Sequence, residues 1–121
     1  MARWEIKNVG MKGVAMAVPE NVVKTSDFDF FSQEEAEVFD NTVGIKRRHI
    51  APDNMCASDM CQAAAEKLLE ELGWERDSID VLLFESVTGD YRTPPTSCIL
   101  QDRLSLSEKC FCMDIPMGCC G

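Results

Sequence analysis

Ile79-Asp80-Val81-Leu82-Leu83-Phe84-Glu85-Ser86-Val87 is an almost unbroken apolar run, the pattern of a central strand in a sheet that helices cover. Thr88-Gly89-Asp90 turns the chain out of that sheet. Pro94 and Pro95 suit the first turn of a helix, where a missing N–H costs nothing. Ile99, Leu100 and Leu104 continue it at helical spacing, and residues 110–115 return as a second buried strand with Cys110 and Cys112 on one face. Residues 79–115 therefore read as a right-handed βαβ unit, which sets the class as α/β.

The same reading extends toward the N-terminus. In residues 9–18, Val14, Met16 and Val18 alternate with Ala15 and Ala17, and Pro19 closes the run; this suits a strand packed on both faces. Ser32 with Glu35 forms a capping-box pattern, Ala36, Phe39 and Val43 keep helical spacing, and Gly44 follows. The pattern predicts a helix from about 33 to 43. Ser58 is expected as the N-cap of the next helix, with Asp59 in its first turn, an apolar stripe of Cys61, Ala64, Ala65, Leu68 and Leu72, and Gly73 at its end.

The 121 residues, 45% hydrophobic, fit one domain that can bury a core. Twelve Lys and Arg against twenty-one Asp and Glu leave a net charge of −9, so no nucleic acid and no anionic membrane is expected as partner. No run approaches the roughly eighteen apolar residues of a spanning helix, and the N-terminus lacks the layout of a signal peptide. The expected location is cytoplasmic. Seven cysteines with no C-x-x-C pair, and His49 as the only histidine, predict reduced thiols and no metal site; most of the cysteines are expected as small core residues. Lys46, Arg47 and Arg48, with His49, sit between two short apolar anchors. They read either as a solvated loop or as a phosphate-contacting surface. His49 is expected to be a loop residue rather than a catalytic base.

The last eight residues, Asp114-Ile115-Pro116-Met117-Gly118-Cys119-Cys120-Gly121, run from a strand end into a small-residue turn. A cysteine on such a turn suits a nucleophile, because a following helix would offer its N-terminal amides to the thiolate. The plainer reading is packing, in which apolar burial raises the thiol pKa and quiets it. No helix follows, and the ending suggests half of an enzyme.

Several pieces, in this order and spacing, resemble one family. Gly44-Ile45 with Arg48-His49-Ile50-Ala51 looks like a G-I-x-x-R-x-I-A loop. Ser58-Asp59 opens the matching helix, Ile79-Asp80 the matching strand, and Thr93-Pro94 with Leu100-Gln101 fall in the matching crossover. Asp114, Cys119 and Gly121 fit D-x-x-x-x-C-x-G. Together these resemble the 3-oxoacyl-[acyl-carrier-protein] synthase III (beta-ketoacyl synthase III) enzymes of the thiolase superfamily. The resemblance implies the N-terminal half of a thiolase-like, layered α/β/α/β/α fold with a mixed sheet and covering helices. Residues 1–121 would form a half-domain cut just after the nucleophile turn.

It further implies a cysteine, here Cys119, that takes an acyl group from a thioester of acyl carrier protein or coenzyme A. A malonyl thioester then decarboxylates and attacks, giving a 3-oxoacyl product in fatty acid or related biosynthesis, with no permanently bound cofactor. The family's histidine and asparagine come from the second half, so the chain alone is expected to be inactive. The family dimerises, and the bared surface predicts a homo-oligomer. Four departures stand out: Cys120 adjoins the nucleophile position, Met117-Gly118 replaces the usual small apolar pair, Leu104-Ser105-Leu106 lacks the common glycine, and the family's aromatic and basic pair ahead of Gly44 appears as Val38 and Thr42. The last favours a carrier protein or a different acyl starter over coenzyme A. The alternatives are a fragment of a polyketide-type or hydroxymethylglutaryl-CoA synthase, and a non-catalytic interaction half-domain.

Overall fold

In the computed structural model, which describes residues 5–118, the chain forms strand β1 (Val22–Lys24), helix α1 (Gln33–Val43), strand β2 (Arg47–His49), helix α2 (Ala57–Leu72), strand β3 (Val81–Glu85), helix α3 (Thr96–Arg103) and strand β4 (Phe111–Ile115). β3 and β4 pair in parallel, Val81 opposite Phe111 and Glu85 opposite Ile115, with α3 as the crossover. β1 and β2 pair antiparallel, Val22 opposite His49. No helix among the described residues is long and apolar enough to cross a membrane.

Local chemistry sets the helix limits. Ser32 Oγ accepts from Glu35 N at 3.2 Å while Ser32 N donates to Glu35 at 2.9 Å, so α1 starts where its capping box stands. Gly44 ends it in the left-handed region with φ 79°, and its N–H returns to Asp40 O. The start of α2 differs from expectation. Cys56 holds the N-cap position and donates its N–H to Asp59 at 2.7 Å. Ser58 lies inside the first turn, because its buried hydroxyl is drawn to a distant carboxylate instead.

The core lies where the inner face of β3 and β4 meets α3: Phe84, Leu100, Leu104, Leu106 and Cys110, with Ala57, Ala65, Ile79, Leu82 and Cys112 packed against them. The outer face is bare among the described residues. Val81 is 54% and Phe111 57% exposed, and Leu83 and Met113 are exposed beside them. The two-sided burial expected of residues 79–87 therefore does not hold. Continuous apolar sequence reports what a strand is built to meet, whereas this chain covers only one of its faces.

Residues 9–18 also depart from expectation. They form no strand; Val14 and Met16 point outward and Ala15 and Ala17 are only half-buried. Gly13 lies against α2 so closely that an added Cβ would come within 2.8 Å of Leu68 Cδ1. The segment is thus tied to a helix by its glycine rather than to a strand by a ladder. The cysteines are less buried than expected as well. Among those described, only Cys110 is buried, while Cys56 and Cys61 are exposed.

Helix α3 ends with Leu106 N on Gln101 O at 3.0 Å and Ser105 N on Asp102 O, and Ser105 takes φ 51°. That left-handed position is the one where glycine carries no Cβ penalty. Ser105→Gly should stabilise the fold by about 0.5–1 kcal/mol in a urea titration, the relief of strain being partly offset by a freer unfolded chain. Leu104→Ala, at a site 2% exposed, should cost about 2–5 kcal/mol, while Val81→Ser should stay within about 0.5 kcal/mol. Equal losses at 104 and 81 would contradict one-sided burial.

Candidate active site

The carboxyl ends of β3 and β4 are organised by two carboxylates, each seated on the start of a helix from another element. Pro95, preceding α3, brings no side-chain acceptor to that end. Asp114, from β4, fills the role. Its Oδ2 accepts from Thr96 N at 2.7 Å and its Oδ1 from Ser97 N at 2.8 Å, placing the charge at the positive end of α3. Burial alone would raise its pKa, but hydrogen bonds from Ser97 and Thr96 outweigh that and hold it below the ordinary aspartate range.

Asp90 repeats the device at α2. Its Oδ1 accepts from Ser58 N at 3.3 Å and its other oxygen accepts from Ser58 Oγ. Arg103, from α3, donates to Ser58 Oγ at 2.7 Å and to Asp59 Oδ1 at 2.9 Å. Asp90 N donates to Thr96 Oγ1 at 3.1 Å. Strand β3, helix α2 and helix α3 are thereby fastened around one loop.

Between the two anchors opens a cleft of about 260 Å³ lined by Phe84, Ser86, Gly89, Tyr91, Arg92, Pro95, Asp114 and Pro116. Gly89 sits in close approach to α3, since a Cβ there would lie 3.0 Å from Thr96 Oγ1 and press on that hydroxyl. The chain leaves β4 along this cleft, with Met117 N bonded back to Ile115 O. Cys119, the expected nucleophile, and Cys120 lie outside the described residues. Two described thiols are quieted. Burial, then the neighbouring Cys110, raises Cys112 to about 11, and partial desolvation of the otherwise exposed Cys61, then the Asp90 charge, raises that thiol as well. No group of three or more His, Cys, Asp or Glu among the described residues could hold a metal ion.

The basic run lies on the other, antiparallel sheet. Arg48 is engaged internally: its guanidinium stands 5.3 Å from the ring centre of Phe39 and 5.9 Å from that of Phe28, and it donates to Thr25 Oγ1 at 3.2 Å. Lys46 and Arg47 are exposed. His49 Nδ1 donates to Pro19 O at 2.5 Å, an anchor between loop and strand. Val38 and Thr42 line an open groove of about 470 Å³ with Phe31, Phe39, Val43 and two carboxylates, Glu34 and Glu35.

The sequence motif contains Asp114 without revealing its task, and nothing in the sequence marks the parts that Asp90 and Arg103 play. Asp90 reads as an ordinary turn residue, and the partner of its carboxylate, Ser58, is 32 positions away. Only tertiary structure brings them together.

No protein-family model matches the chain. It is 35% identical over 112 residues to a beta-ketoacyl-[acyl-carrier-protein] synthase III of Geobacillus kaustophilus, covering 93% of this chain and 36% of the relative. To one from Halalkalibacterium halodurans it is 36% identical over the same shares. The crystal structure of a 3-oxoacyl-(acyl-carrier protein) synthase from Burkholderia xenovorans superposes with a TM-score of 0.81 at 38% identity, covering 91% of this chain and 33% of that one. OleA of Xanthomonas campestris, 24% identical with a TM-score of 0.74, shares the fold. The chain thus spans about a third of the length of the curated relatives it matches.

Stability contributed by the lowered Asp114 pKa is present above the ordinary aspartate range, about 3.9, and is lost as pH falls through the depressed folded value. Asp114→Asn should lower the melting temperature at neutral pH and flatten its fall on acidification. An acid limb as steep in the variant as in the parent would remove Asp114 from that role.

Proposed function

We propose that this chain, whose sequence and thiolase-like α/β fold belong with the N-terminal part of the 3-oxoacyl-[acyl-carrier-protein] synthases III, supplies the nucleophile-bearing side of a condensing acyltransferase. The observation that carries the reading is the cleft at the ends of β3 and β4, fastened by Asp114 and Asp90 and walled in part by Pro116, the first residue after β4. The Cys119 thiolate attacks the carbonyl carbon of an acyl thioester; the carrier's sulfur leaves and takes a proton, and the acyl group stays on Cys119. A malonyl thioester then loses carbon dioxide. Its enolate carbon bonds to the acyl carbonyl as the bond to Cys119 sulfur breaks, releasing a 3-oxoacyl thioester.

The substrates in this scheme are thioesters, and it uses no permanently bound cofactor. The groove holding Val38 and Thr42 has carboxylates, not cations, on its wall. That supports acyl carrier protein, or a distinct acyl starter as in related polyketide-type synthases, over coenzyme A as donor. Lys46 and Arg47 are the exposed cations for a carrier's phosphate, with Arg48 already engaged. The bare outer face of β3 and β4 supports a homo-oligomer. Free thiols at the described cysteines fit a cytoplasmic location.

Incubating the protein that carries this sequence in its natural reading frame with an acyl thioester, then weighing it intact, should show one added acyl group. The adduct should vanish in Cys119→Ala and persist in Cys120→Ala; an adduct that follows Cys120, or none, overturns the assignment. Acylation should run faster from acyl carrier protein than from coenzyme A. The 121-residue chain alone should give no 3-oxoacyl product and should scatter light as more than a monomer at micromolar concentration.

A further inference from the structure

Arg92 is an exposed cation at the rim of a cleft whose other walls are mainly ring and aliphatic carbon, from Phe84, Tyr91, Pro95 and Pro116. It makes no ion pair and no side-chain hydrogen bond among the described residues. Asp114, the acid that shares the cleft, has both carboxylate oxygens committed to the N–H groups of Thr96 and Ser97. The segment bearing Arg92 is nevertheless held at both ends. Asp90, two residues before it, is fixed on Ser58, and Thr96, four residues after it, is fixed on Asp114 and on Asp90 N. An arginine on an anchored segment, with its own donors unspent, beside an apolar cleft is arranged to receive an anion attached to a hydrocarbon chain.

Resting on the condensing-enzyme reading above, we propose that Arg92 is a specificity-determining residue, selecting an acyl group that carries a carboxylate at the end distal to its thioester. The hydrocarbon part would lie on Phe84, Tyr91 and the two prolines, and the terminal carboxylate would pair with the guanidinium fork. Overall charge sharpens the argument. A chain of net charge −9 repels anions in general, so a preference for the charged acyl group has to come from a local cation. The cleft, about 260 Å³, is below the size of drug-like sites and suits a short chain.

The test measures binding rather than turnover. In a background of Cys119→Ala with Cys120→Ala, which removes acylation at either sulfur, the protein in its natural reading frame is titrated with S-adipoyl-N-acetylcysteamine and with S-hexanoyl-N-acetylcysteamine by ligand-observed NMR at low salt. The adipoyl probe should bind about fivefold tighter or better, the range of a partly exposed ion pair. Arg92→Gln should equalise the two, Arg92→Lys should keep part of the preference, and the melting temperature should be unchanged in both. Equal binding in the parent, a preference that survives Arg92→Gln, or no binding of either probe overturns the proposal. Failure of the underlying reading looks different: there the Cys119 adduct is missing from intact-mass spectra whatever the two affinities are.

Discussion

The arrangement depends on a carboxylate placed at the start of a helix that does not contain it. Asp114 reaches from a strand to the first amides of α3, and Asp90 reaches from a loop to the first turn of α2. Each satisfies donors that their own helix leaves open and sets negative charge on the positive end of a dipole. Because the contacts are tertiary, they do two things at once: they start the helix, and they fix its position relative to the parallel strand pair. The cleft walls follow from that fixation.

Arg103 and Thr96 connect the two sites. Arg103 ties α3 to Ser58 and Asp59, and the Thr96 hydroxyl accepts from Asp90 N while its own N–H serves Asp114. Displacing any one of these groups leaves a buried polar atom of Ser58 or Thr96 short of a partner, which is costlier than the bond itself is worth. The loop carrying Gly89, Tyr91 and Arg92 is therefore more constrained than its polar, proline-containing sequence suggests.

What was legible in the sequence was local. The Ser32 and Glu35 capping box, Gly44 and Gly73 after their helices, and the strand–helix–strand run from 79 to 115 are matters of near neighbours, and the structure keeps them. The resemblance to the synthases was legible too, through the order of short motifs. Ser58 has the chemistry of a cap but does not serve as one, because its hydroxyl has a better partner 32 residues on. Residues 9–18 alternate like a strand yet form none, because alternation specifies faces but not a neighbour to pair with. Arg48 looked like a solvent-facing cation because nothing in the run around it announces two phenylalanine rings from elsewhere.

The bare outer face of β3 and β4 has a consequence for how substitutions in this chain are to be read. Val81, Leu83, Phe111 and Met113 contribute little to the folding of the residues around them, so a screen for soluble, folded variants of this stretch would pass polar replacements there unnoticed. Variation at 81 should therefore leave the stability of this stretch nearly unchanged, whereas variation at Leu104 is felt at once in the interior beside it.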